Sequence, residues 1–309
     1  MDGGIGIIEM LNRCNVLALV GGGNNPKFGP NKVILWDDSQ GKVISELIVK
    51  FYIKNIKLKR TKIFIIGDIE IRVFTFGNFQ NIDTINTYQN KNGIVGISLN
   101  PQINIIAYPS PDVGHIIVKN YDEKNNNNEF KSIDINAHQS EITALCMNEN
   151  GSLVASASEK GTIIRIFQTK DGQLIQELRR GTESAEIFSL AFDMKSLYLA
   201  CSSNKGTIHI FNVKNEKSIV QNQKSIFGTI TSFFGIQNEY LNSEWSFAQY
   251  RLNYKGKSVV SFCPDGSPSI MVLTMDGKYY QGSFNPGTGG ECVTVLESEF
   301  TKLMCNDDD

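Results

Sequence analysis

Ser156-Ala157-Ser158-Glu159-Lys160-Gly161-Thr162-Ile163-Ile164-Arg165-Ile166-Phe167 has a counterpart further along the chain in Cys201-Ser202-Ser203-Asn204-Lys205-Gly206-Thr207-Ile208-His209-Ile210-Phe211. Lys-Gly-Thr at 160–162 and again at 205–207 sets an offset of 45 residues. Glu141-Ile142-Thr143-Ala144-Leu145 and Glu186-Ile187-Phe188-Ser189-Leu190 keep the same offset. Each copy reads as a short β-rich run, a polar turn with glycine, then a second β-rich run. A period of about 40–45 residues with four short strands per unit predicts a β-propeller blade.

Weaker copies extend outward from this pair. One runs from Ile7 to Trp36, one from Ile56 to Phe76, one from Ile94 to Tyr121 and a last one from Val259 to Tyr280. Six blade-like units follow, and the expected fold is an all-β, WD40-type β-propeller forming a single domain over residues 1–309. Between the two sharpest copies lies Glu177-Leu178-Arg179-Arg180-Gly181-Thr182. Neighbouring residues of an extended chain point to opposite sides. Arg179 and Arg180 are therefore expected to serve two places, one toward each flanking copy.

Those copies carry the groups that suit an anion. Ser156, Ser158, Lys160 and Thr162 alternate on the first, with Arg165 on the strand beyond. Ser203, Lys205 and Thr207 repeat the pattern on the second, with His209 beyond. Hydroxyl, ammonium and guanidinium groups suit a phosphate, because charge-assisted hydrogen bonds are the strong ones and arginine adds a bidentate fork. Propeller blades also use Ser, Thr and His in internal networks, so both roles stay open for any single residue.

Three stretches break the rhythm. Gly21 to Pro30 is a glycine- and proline-rich loop without the Gly-Lys-Ser/Thr of a phosphate-cradling loop. Asn125 to Asn128 is a low-complexity surface insertion. The third, 215–244, is far too long for a hairpin connection. In it Ile226, Phe227, Ile230, Phe233 and Phe234 would share one helical face, with Lys214, Lys217 and Lys224 before them. Either this loop folds its apolar residues onto a blade, or it becomes helical in a lipid interface with the lysines on anionic head groups.

Composition narrows the class. The net charge of -2 argues against a general nucleic-acid binder. Six scattered cysteines without a Cys-x-x-Cys pair read as reduced thiols. Only three histidines occur, and neither a nucleophile elbow nor a metal-ligand spacing accompanies them. No catalytic residue, metal or cofactor is expected, and an enzyme is the class least supported. Neither a signal peptide nor an apolar run of membrane-spanning length is legible, so the cytosol is the expected compartment.

Leu178-Arg179-Arg180-Gly181 resembles the Phe/Leu-Arg-Arg-Gly signature of the PROPPINs, the WD-repeat phosphoinositide-interacting (WIPI) proteins of autophagy. Glu9-Met10-Leu11, Leu17 to Gly23, Trp36-Asp37-Asp38, Ala137-His138, Ser156 to Phe167 and Lys205 to Phe211 carry the resemblance along nearly the whole chain. Asn31-Lys32-Val33 before Trp36 is similar to the shorter subgroup, whose members associate with the lipid-transfer protein Atg2. The resemblance implies a seven-bladed propeller, with a first blade lying ahead of the Glu9 segment, and two pockets for phosphatidylinositol 3-phosphate and 3,5-bisphosphate. Carried over, the first pocket uses His138, Ser158, Lys160, Thr162, Arg165 and Arg179. The second uses Arg180, Ser202, Ser203, Lys205, Thr207 and His209. The loop at 215–244 matches the family's membrane-inserting loop. The implied role is that of a monomeric, non-enzymatic adaptor on phagophore, endosomal or vacuolar membranes, with an Atg2-like partner. The alternative is a WD-repeat scaffold that binds proteins and no lipid.

Overall fold

Short runs of Val and Ile, punctuated by Gly, Asn and Asp, fold here into antiparallel four-strand meanders. The computed structural model describes residues 3–87, 89–124, 129–214, 223–224 and 244–300. Two compact units divide the chain, Met1–Asp134 and Ile135–Asp309.

In the first unit, β1 (Ile5–Met10), β2 (Val16–Gly21), β3 (Lys32–Asp37) and β4 (Lys42–Ile48) pair in chain order. So do β5 (Asn55–Leu58), β6 (Lys62–Ile66), β7 (Glu70–Thr75) and β8 (Asn81–Asn86). A third sheet holds β9 (Gly96–Ile97), β10 (Ile105–Pro109), β11 (His115–Lys124) and β12 (Phe130–Asn136). β6 explains how these sheets stack. Successive side chains of a strand face opposite ways. Ile63 and Ile65 join the core shared with Ala18, Val33 and Leu35, while Phe64 and Ile66 join the one shared with Ile106 and Tyr108. A strand covered on both faces must be apolar throughout, and Ile63 to Ile66 are all buried. The fourth strands β4, β8 and β12 are more exposed than the strands they follow, and β4 leaves Val43, Ile44 and Ile48 uncovered.

The second unit holds the sharp repeat. β13 (Ile142–Met147), β14 (Leu153–Ser158), β15 (Ile163–Gln168) and β16 (Leu174–Arg179) form the first copy. Two short strands, β20 (Gln223–Lys224) and β21 (Glu244–Trp245), extend that sheet beyond β16. β17 (Ile187–Phe192), β18 (Tyr198–Ser203) and β19 (Thr207–Asn212) begin the second copy, and β22 (Ala248–Arg251) completes it. β22 also pairs in parallel with β26 (Gly289–Glu299), which adds β25 (Lys278–Asn285), β24 (Ser269–Thr274) and β23 (Ser258–Phe262) to the same eight-stranded sheet.

The likeness of the two copies reaches into their irregularities. Pairing of β13 with β14 slips between Ile142 and Ala144, and pairing of β17 with β18 slips at the matching place, between Ile187 and Ser189. Each slip is a β-bulge that re-aims the strand end. The last unit, expected over Val259 to Tyr280, continues to Glu299 because Asn285 Oδ1 accepts from the amides of Gly287 and Thr288 and turns the chain into β26.

Candidate anion-binding site

Each copy bends between its second and third strands through the same glycine turn. Gly161 (φ 61°) donates its amide to Ser158 O at 2.8 Å, and Gly206 (φ 79°) donates to Ser203 O at 3.3 Å. Both sit in the left-handed region that glycine adopts without a Cβ penalty. A side chain at 161 would also meet the Ala185 carbonyl oxygen at 1.8 Å. Lys160 and Lys205 are held on the exposed shoulder of these turns, with Ser158, Thr162 and Ser203 buried and Thr207 half-buried beside them.

Arg179 ends β16, its backbone opposite Ile163 on one side and Trp245 on the other. Arg180 leaves the strand. Its amide donates to Thr162 O and its Nε to Gly161 O, both at 2.9 Å, while its terminal nitrogen donates to the Glu183 carbonyl. The two residues are only 3% and 5% exposed. Arg180 joins the two copies: its hydrogen bonds fix the first copy's turn, and its charge bears on Cys201 and His209 of the second. Burial lowers its pKa from the ordinary value, yet guanidinium stays charged in proteins.

Around the first turn, His138 Nε2 lies 2.9 Å from Ser156 Oγ. Burial, and next the Arg165 charge, push the His138 imidazole down to about 4. Arg165 is held by the Ala137 carbonyl at 2.7 Å and by Glu177, to which Nε donates at 2.9 Å and Nη2 lies at 2.8 Å. Around the second turn, His209 Nδ1 lies 3.2 Å from Ser246 Oγ, and its ring stacks on Phe211. Burial first, then Arg180 and Arg251, push it down to about 4 as well. Lys205 Nζ lies 2.9 Å from Glu183 Oε2, and that bond leads the causes holding the Glu183 carboxyl below its usual range. Ser202 is fully buried and donates to Ser258 O at 2.9 Å, a latch between β18 and β23.

The fold thus gathers His138, Ser158, Lys160, Thr162 and Arg165 around one turn and Ser203, Lys205, Thr207 and His209 around its copy, with Arg179-Arg180 between them. Sequence reasoning missed Glu177, Glu183, Ser246 and Arg251, which pair with or stand beside the cations and imidazoles. Glu183 was findable, because it stands 45 residues after His138. Ile226, Phe227, Ile230, Phe233 and Phe234 lie outside the described residues. Away from this site, Asp112, His115 and Asp134 bring one ligand atom each within 4.8 Å, a grouping that sequence spacing hid. His115 Nδ1 sits 2.8 Å from Asp134 there.

Successive four-stranded antiparallel meanders, stacked face to face within each unit, define a β-propeller protein whose charged site lies in the turns of adjacent repeats. A search of protein families matches the PROPPIN family over residues 7–300. The chain is 34% identical to Autophagy-related protein 18e of Arabidopsis thaliana, over 98% of this chain and 78% of that one. Kluyveromyces lactis Hsv2 shares its fold with a TM-score of 0.76 at 22% identity, covering 96% of this chain and 87% of that one. KlAtg21, solved as a complex with the coiled coil of AgAtg16, superposes at 0.73 with 23% identity, over 95% and 84%. This chain belongs to the PROPPIN family of β-propellers, a non-enzymatic, phosphoinositide-binding family associated with autophagy.

Proposed function

We propose that the chain is a peripheral adaptor that reads phosphatidylinositol 3-phosphate and 3,5-bisphosphate through two sites. His138, Ser158, Lys160, Thr162, Arg165 and Arg179 form the first. Arg180, Ser202, Ser203, Lys205, Thr207 and His209 form the second, where Ser202 acts by latching β18 in place. The observation that carries this reading is Arg180, a buried guanidinium fixed at one turn with its charge beside the imidazole of the other copy. A buried cation is costly unless anions or well-placed acceptors offset it. A phosphate approaching either turn finds charge, lysine and hydroxyl already oriented.

In this reading the whole of 1–309 is a single propeller domain. The segment 215–244 inserts Ile226, Phe227, Ile230, Phe233 and Phe234 into the same bilayer. Two modest pockets and one apolar loop on one membrane raise affinity through effective concentration, by about 10²–10⁴-fold over one site. The protein brings partners to phagophore, endosomal or vacuolar membranes. An Atg2-like lipid-transfer protein is the first candidate, and a coiled coil is the second by analogy with KlAtg21.

Flotation with liposomes containing phosphatidylinositol 3-phosphate, its 3,5-bisphosphate or phosphatidylinositol alone tests the proposal. Recruitment to the first two and not the third is expected. Equal recruitment to all three would instead leave a protein-binding scaffold. Charging Phe233 and Phe234 together weakens recruitment if the loop inserts and leaves it unchanged otherwise.

A further inference from the structure

The far end of the second unit holds a cavity that the anion site does not use. β18 carries Ser203 at the anion turn and Tyr198 at its other end, roughly 17 Å away along the strand. Tyr198 lines a pocket of about 610 Å³. That volume falls within the ~300–1,000 Å³ of ligand sites that largely enclose a small group. Most of its wall is apolar. The Tyr198 ring lies 5.0 Å from that of Phe284 and 6.2 Å from that of Phe262, and three prolines complete the lining.

The polar part of the lining is lopsided in charge. Glu149, Asp193 and Asp265 contribute carboxylates, and Lys195 is the only basic residue among them. Two of these acids are anchored where they stand. Asp193 Oδ1 accepts from the amides of Leu197 and Tyr198, each at 2.6 Å, and Asp265 Oδ1 accepts from Ser267 N at 2.9 Å. Hydrogen bonds from Ser267 hold the Asp265 carboxyl below its usual range, so it is ionised at neutral pH. Burial and the Asp193 charge raise the Tyr198 hydroxyl above its ordinary value, so it remains a donor. The turns are fixed before any ligand arrives, which limits the ordering that binding must impose.

We propose that this pocket binds the arginine side chain of a basic peptide segment on a partner protein. The complementarity is specific to that chemistry. An aliphatic stem packs on Tyr198 and Phe262. A planar guanidinium stacks on an aromatic face and offers paired donors to carboxylates. An acidic peptide meets net repulsion there. The pocket and the anion turn stand at opposite ends of β18, so a lipid-bound molecule would still present the pocket. The inference stands apart from the lipid reading and survives its failure.

Calorimetric titration of the full chain with the acetylated, amidated pentapeptide Gly-Leu-Arg-Leu-Gly tests it, with the Glu pentapeptide Gly-Leu-Glu-Leu-Gly as control. Binding of the Arg peptide alone is expected, weakening as salt rises because the contacts are ionic. Replacing Glu149 and Asp265 together by Lys should reduce affinity by about tenfold or more, since like charges then face the guanidinium. Replacing Asp265 removes the bond from Ser267 N, so a small fall in the thermal midpoint is expected and affinity is read well below it. If that double variant does not fold, Asp265→Asn and the salt series on the native chain still decide. Binding of both peptides alike, a salt-independent affinity, or no binding of the Arg peptide at millimolar concentration would overturn the proposal. Loss of liposome recruitment in the Arg180→Thr variant, with peptide affinity intact, separates the two ends.

Discussion

In the first copy, His138 is buried against Ser156; in the second, the position 45 residues on is Glu183, with an 80% exposed side chain bonded to Lys205. Ser156 is answered by Cys201, and Ile164 by His209. Each turn therefore has an imidazole, an arginine, a lysine and a carboxylate, but the pairings differ. In the first, the carboxylate of Glu177 neutralises Arg165, and among the described residues no ion pair holds Lys160. In the second, the carboxylate of Glu183 neutralises Lys205, while Arg180 is held by neutral carbonyl oxygens of Gly161 and Glu183. The backbone was duplicated more faithfully than the electrostatics. In the proposed reading, a phosphate competes with a carboxylate for arginine at one turn and for lysine at the other.

The strongest way to break this comparison is to remove one arginine at a time. Arg180→Thr is expected to lower liposome affinity by about tenfold to a hundredfold, the range of one or two hydrogen bonds to a charged group. It should also lower the thermal midpoint, because two carbonyls lose their donor. Arg165→Thr should cost less affinity, since Glu177 already offsets that charge. If both variants bind alike in flotation, the asymmetry drawn between the copies is wrong. The paired replacement of Arg179 and Arg180 by Thr should abolish recruitment with a folded chain still seen by circular dichroism.

Acidification acts on both copies at once. Both imidazoles titrate near 4 in the fold, against 6.5 for the ordinary group. The unfolded chain therefore takes up more protons between those values. Stability from each histidine is complete above pH 6.5 and is lost as pH falls toward 4, by up to about 3 kcal/mol each. A bound phosphate favours the charged imidazole. Liposome binding should accordingly tighten as pH falls from 6 toward 4.5, while the thermal midpoint falls from pH 6.5 downward. Exchanging His138 and His209 for Asn in turn would divide the effect between the copies, and a flat profile in the native chain would refute it.

The smallest expected change sharpens the second copy alone. Glu183→Gln releases Lys205 from an exposed ion pair, and exposed pairs contribute little. Recruitment at low salt should rise about two- to threefold. Lys160, which has no ion pair among the described residues, offers the control: Glu159→Gln next to it should leave affinity unchanged.

Much of the architecture was legible because it is periodic. The Lys-Gly-Thr turns, the alternation of β13–β19 and the arginine pair are local patterns that read directly as strand, turn and charge. What escaped is contact between distant parts of the chain. Glu177 reaches Arg165 across two paired strands, Ser202 reaches Ser258 across 56 residues, and Ser246 meets His209 over 37. Side-chain alternation predicted that Arg179 and Arg180 diverge, but not that both would be buried. Burial depends on neighbouring elements that no local period encodes. The extension of the last unit through β26 turned on the side chain of Asn285, a single turn residue.

The second copy differs from its neighbour in one more respect. Its third strand ends at Asn212 and its fourth begins at Ala248, yet the two pair as closely as any adjacent strands, Thr207 opposite Arg251 and Ile210 opposite Ala248. Joining strand ends across a long connection carries an entropy that grows only with the logarithm of its length. Doubling that length adds about 0.6 kcal/mol. The length of the connection is therefore a small part of what docking β22 costs, whereas Ser246 at its end is a neighbour of His209. The described end of that connection is tied to both charged turns, because Trp245 lies opposite Arg179 and Ser246 Oγ lies 3.2 Å from His209 Nδ1, so a change at 245 or 246 reaches both copies at once.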